Sequence, residues 1–155
     1  MSVRAQHLAD TADRQIAELV ERLAAAGPAA LSRACPGREK LGDGTVAAVA
    51  AHTTESYDVI ARFVHAVVHG GDPPQTGHSR GYRSSDVELD ALLARLAAAR
   101  DALVVMRGLS DDRLAFVPPA GEMRFADGVR TLEDILASLL KHQRHQLDAV
   151  ARALS

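Results

Sequence analysis

Four apolar stripes recur at helical spacing along this chain, and each is cut off by a glycine-, proline- or serine-rich break. That alternation narrows the fold more than any other feature, because a stripe of period 3.6 marks a helix with one face to bury. The first stripe, about residues 3–26, sets Leu8, Ala12, Ile16, Leu19 and Leu23 on one face and stops at Gly27-Pro28. The second, about 44–69, reads "GTVAAVAAHTTESYDVIARFVHAVVH" and stops at Gly70-Gly71. The third, about 85–107, follows the Ser84-Ser85-Asp86 cluster and carries Leu89, Leu92, Leu93, Leu96, Leu103 and Val104. The fourth, about 131–154, opens with "TLED", a capping-box pattern in which Thr131 caps the helix and the acid three residues on returns the bond.

Composition agrees. Aromatic residues make up 3% of the chain, and Ala, Leu and Val dominate its apolar content, a bias that favours helix packing over a sheet. The expected fold is all-α: a four-helix bundle in one domain spanning 1–155. The connections 27–44, 70–85 and 108–130 are long enough for crossover as well as simple up-down topologies, and the last is expected to hold a short helical turn around Ser110–Leu114. Eighteen basic residues stand against twenty acidic ones, for a formal charge of −2, which gives no electrostatic case for nucleic acid or an anionic membrane surface. No apolar run approaches the roughly 20 residues of a membrane span, and the polar N-terminus has no signal-peptide core, so a cytoplasmic location is expected. A single cysteine, Cys35, excludes an internal disulfide and a thiolate metal cluster; it reads as a small semi-buried apolar residue, with a reactive loop thiol as the alternative.

Seven histidines are the unusual supply of site chemistry. With about 100° per residue and His52 at zero, Val59 falls at about −20°, Phe63 at about 20° and Val49 at about 60°, so His52 faces the core. A buried imidazole needs partners for its ring nitrogens: a side chain, a water or a metal. On the fourth stripe, with His142 at zero, the apolar face is centred at about 90°, Gln146 lies at about 40° inside it and His145 at about −60° toward solvent. His52 with His142 therefore makes either a metal pair or two satisfied polar residues in a seam between helices. His65 and His69 have the i, i+4 spacing of a ligand pair but lie on the polar side of their helix with no third ligand in view; His7 and His78 read as surface residues.

Three segments taken in order, "GDGTVAAVAAHTTESYDVI", "GLSDDRLAF" and "RTLEDILASLLKHQRHQLDAV", resemble the DinB-like family of small four-helix bacterial proteins, which includes bacillithiol and mycothiol transferases. The resemblance implies a bundle in up-down-down-up order, often a homodimer, with a three-histidine metal site. One ligand comes from the second helix and two from the fourth. Carried over, the ligands fall on His52, His142 and position 146, which here is Gln146 rather than histidine. The tryptophan usual before the second helix is also missing.

Three readings follow. Gln146 coordinates through its amide oxygen in a weakened site, His145 turns in as a substitute ligand, or the metal is gone and His142–Gln146 is a hydrogen-bonded remnant. The expected cofactor is a divalent ion (zinc, nickel or iron) or none, with a mycothiol-type thiol as co-substrate, and the expected partner is a small molecule. In the enzymatic reading the protein is a metal-dependent thiol S-transferase or hydrolase, with Glu55, one turn from His52, as general base or as support to the metal ligands. In the alternative it is a small-ligand-binding module or a dimeric structural module whose metal site has decayed.

Overall fold

A computed structural model describes residues 2–71, 81–121 and 123–155 of the chain. The protein is all-α. Among the described residues the only β feature is an isolated antiparallel bridge between Ala34 and Thr45. Helix α1 spans Val3–Ala26, α2 Val46–His69, α3 Leu89–Ala102, α4 Asp111–Ala115 and α5 Leu132–Leu154. Helices α1 and α2 each pack against both α3 and α5, and α4 packs on α5. Most of the buried apolar side chains form one cluster drawn from all five helices.

The helix ends follow from local chemistry. Ser2, Thr45, Ser110 and Thr131 each accept a backbone N–H from their helix's third residue, meeting donors that the first turn leaves without partners. The Ser2 hydroxyl also donates to Asp111 at 2.5 Å, tying the start of α1 to the start of α4. At Thr131 only half of the expected capping box forms. The hydroxyl takes the Asp134 N–H at 3.2 Å, but no bond returns from the Asp134 carboxylate, which is one methylene shorter than the glutamate such a box favours. Helix α2 ends at Gly70, whose left-handed backbone (φ 75°) lets its N–H reach the Ala66 carbonyl at 2.8 Å.

The third apolar stripe departs from the expected continuous helix over 85–107. Ser84–Asp86 forms a separate 3₁₀ turn, Val87 and Glu88 are extended, and α3 begins only at Leu89. After Ala102 the chain tightens into a 3₁₀ segment, Leu103–Gly108. At three residues per turn, positions three apart eclipse one another, so Leu103, Met106 and then Leu109 enter the core in register. Val104, assigned to the apolar stripe on a 3.6 period, is 56% exposed instead. The turn at Ser110–Leu114 is present as α4.

Polar groups also cross the core. Tyr57 on α2 donates its hydroxyl to Gln15 Oε1 on α1 at 2.8 Å, and Gln15 Nε2 donates to the Leu140 carbonyl on α5 at 3.1 Å. The buried Gln143 of α5 donates through Nε2 to the Thr53 carbonyl of α2 at 2.8 Å. Among the described residues, no helix is long and apolar enough to cross a membrane.

Candidate functional site at the α2–α5 seam

His52 and His142 face one another electrostatically across the seam between α2 and α5, each half-buried. Burial lowers the pKa of both rings, because a charged imidazole loses hydration there. The Arg124 guanidinium lowers both further, while the Glu55 carboxylate pulls His52 the other way. His52 Nδ1 is buried and has no hydrogen-bond partner among the described residues.

The other candidates separate as their helical directions require. Gln146 is buried and His145 is exposed. Gln146 does not offer its amide oxygen to the seam: Oε1 accepts from Arg38 Nε at 2.5 Å. The same guanidinium donates to the Gly37 carbonyl at 3.0 Å and to the His145 carbonyl at 3.4 Å. One turn away along α5, Arg124 Nη1 lies 3.2 Å from His142 Nε2, so the neutral ring accepts at that atom. Glu55 accepts from the Tyr82 hydroxyl at 2.6 Å, an interaction that joins α2 to the chain leading into α3.

Two loops deliver the arginines. Arg38 lies between the first 3₁₀ turn (Pro28–Ser32) and α2, in a segment pinned by Cys35 N–H to Gly44 O at 2.8 Å and Val46 N–H to Arg33 O at 2.9 Å. Arg124 precedes Phe125, whose φ of 71° is rare for an aromatic residue. The Arg124 and Arg130 guanidiniums lie 5.0 and 5.4 Å from the Phe125 ring centroid, and the ring packs on the core.

These residues do not fit a divalent metal as they stand. Two guanidinium cations lie against the proposed ligands, one of them on the ligating face of His142, and a third cation would meet their repulsion. Among the described residues, no three His, Cys, Asp or Glu side chains gather closely enough to hold an ion. His65 and His69 lie with ring centroids 4.3 Å apart and planes tilted by 49° on the exposed side of α2. His7 is exposed, and His78 lies outside the described residues. Cys35 is fully buried, and burial raises its thiol pKa, so its packing is that of a small apolar side chain.

Sequence reasoning missed Arg38, Arg124, Tyr82 and Gln143. Gln143 alone had a readable signal, since it sits one residue past His142, at about 100°, in the middle of the α5 stripe. No family model matches the chain, and no curated protein or solved structure matches it either.

Proposed function

We propose that this chain is a DinB-like four-helix bundle in up-down-down-up order that binds a small molecule at the α2–α5 seam without a resident metal. The reading rests on one observation above the others. The amide at the third-ligand position is engaged by Arg38 at 2.5 Å, as a glutamine turned to hydrogen bonding would be. The approach of Arg124 to His142 supports it, because a nitrogen that accepts from a guanidinium is not available to a metal. In this reading His52, His142 and Gln146 are polar wall residues, Glu55 is a partner of Tyr82, and homodimer formation and a cytoplasmic setting come with the family.

The metal-dependent thiol transferase or hydrolase is the second reading, and it draws on His52 Nδ1, a buried ring nitrogen without a partner among the described residues. Elemental analysis of untagged protein decides between the two. The expected result is substoichiometric metal in the wild type and in His52→Ala, with metal gained only when Gln146→His is combined with Arg38→Met and Arg124→Met. Stoichiometric zinc, nickel or iron in the wild type, lost in His52→Ala, would restore the metal-dependent reading.

A further inference from the structure

We propose that Arg38, Lys40 and Arg124, ranged along the His142–Gln146 edge of α5, form a recognition site for a small oxyanion, the carboxylate or phosphate of a soluble molecule. This deepens the metal-free reading of the seam and rests on it.

The first support is charge left unmatched. Arg144 pairs with Glu18 and Asp148, both at 2.7 Å, Arg100 with Asp13, and Arg107 with Asp10. Arg38 and Arg124 have no carboxylate within ion-pair distance among the described residues. They spend their donors on neutral acceptors: an amide oxygen, two backbone carbonyls and an imidazole. Both turn instead to neutral acceptors along one edge of α5, Arg38 to Gln146 and the His145 carbonyl and Arg124 to His142. Two acids whose charge is felt at this seam hold other partners. Glu39 accepts the Gly37 N–H at 3.0 Å, and Glu55 accepts from Tyr82.

The second support is shape. Gly37, Arg38, Glu39, Lys40, Leu41 and Gln146 line an open cleft of about 470 Å³, within the size range of small-molecule sites. Arg38 carries a planar fork of donors suited to a carboxylate or phosphate, held in place by its bonds to Gln146 and Gly37. The third support is the cost of placing Arg124. Its guanidinium faces two half-buried imidazoles and is carried beside a left-handed Phe125, a backbone conformation that persists only where surrounding contacts over-determine it. An oxyanion held by Arg38 and Lys40 beside Gln146 would bring a negative charge to the cations gathered on the His142–Gln146 turn.

The test is calorimetric titration of metal-free protein with sodium phosphate and, separately, sodium succinate, against sodium chloride at matched ionic strength. Saturable binding of one or both is expected, and the stronger of the two identifies the source of the oxyanion. Arg38→Met and Arg124→Met should each weaken it by about tenfold or more, with Arg38→Lys falling between, while the surface variant Arg62→Met binds like wild type. Circular dichroism of each variant separates lost binding from lost folding, and Lys40→Met provides a second probe of the same cleft. The inference falls if neither anion binds better than chloride, or if the folded arginine variants bind as well as wild type. A metal-free protein silent to both anions would sink this inference and leave the metal-free reading standing. Stoichiometric metal whose removal abolishes anion binding would sink both.

Discussion

Tyr57 and Gln15, on α2 and α1, are joined by a buried hydrogen bond of 2.8 Å, and Gln15 carries the connection on to the Leu140 carbonyl of α5. One glutamine thus links three helices through the core. A buried hydroxyl left without its acceptor costs about 1–3 kcal/mol, so Gln15→Leu should destabilise by about that much in urea unfolding. Tyr57→Phe in the Gln15→Leu background should cost less than it does alone, because the hydroxyl it removes has already lost its partner. Strict additivity of the two changes would show that the bond carries no coupling.

Gly42 is the tightest point of the loop before α2. Its φ is 55°, and an added Cβ would lie 2.1 Å from the Tyr82 carbonyl oxygen, the acceptor of the Asp43 N–H. Gly42→Ala should therefore cost on the order of 1–3 kcal/mol or more through strain and separation of the two segments. Gly27→Ala, at φ 80° but with open space around the new methyl, should cost only the backbone term, about 1 kcal/mol. Thermal unfolding of the pair checks the ordering, and equal losses would mean that the Tyr82 contact is unimportant.

The 3₁₀ segment Leu103–Gly108 makes a prediction by its period. Met106 is fully buried, so Met106→Ala should cost about 2–5 kcal/mol, whereas Val104→Ala, two residues earlier on the exposed side, should stay within about 0.5 kcal/mol. A continuous α-helix would place these residues about 200° apart, which forbids neither burial pattern; the sharper sign of the 3₁₀ register is that Leu103, Met106 and Leu109 should all be costly to truncate. Chemical denaturation of the truncation series would show it, and a cheap Met106→Ala would contradict it.

His52 and His142 predict an acid-sensitive fold. In the folded protein burial pulls both below the ordinary value of 6.5, with Arg124 adding to the effect. The unfolded chain therefore takes up protons first as pH falls through about 6.5, and the native state loses stability from there down to its own lowered values. Above that window the rings are neutral in both states and the penalty is absent. The urea midpoint should drop between about pH 7.5 and about pH 5.5, and the drop should shrink in His52→Asn and in His142→Asn. A midpoint that held level or rose on acidification would show that these rings are not held neutral.

Much of the architecture was legible because it depends on neighbours in sequence. Thr131, Ser110 and Gly70 mark their helix ends through groups within four residues, and the stripes of α1 and α5 name their own buried faces. His145 outward and Gln146 inward followed from the 3.6 period alone. The third stripe was misread where the period changed, because Leu103, Met106 and Leu109 obey 3.0 rather than 3.6. The site was legible only in its helical half. Arg38 meets Gln146 across 108 positions of sequence, and Arg124 arrives on a loop turned by a left-handed Phe125, and neither placement leaves a periodic trace.

Asp43 has a consequence for how this protein can move. One of its carboxylate oxygens accepts from the Thr45 hydroxyl and amide at the mouth of α2, and the other takes the Ser84 N–H at 2.7 Å, 41 positions further on. The backbone of Asp43 adds a bond to the Tyr82 carbonyl at 3.0 Å. A single side chain thereby acts as a buckle, joining positions 43 and 84 into a ring whose clasp lies in the loop that also carries Arg38. Closing a ring of that length by chance costs chain entropy, which a fastened buckle has already met. Opening it would free both ends together, so any ligand that pulls on Arg38 pulls on a fastened belt rather than a loose strap.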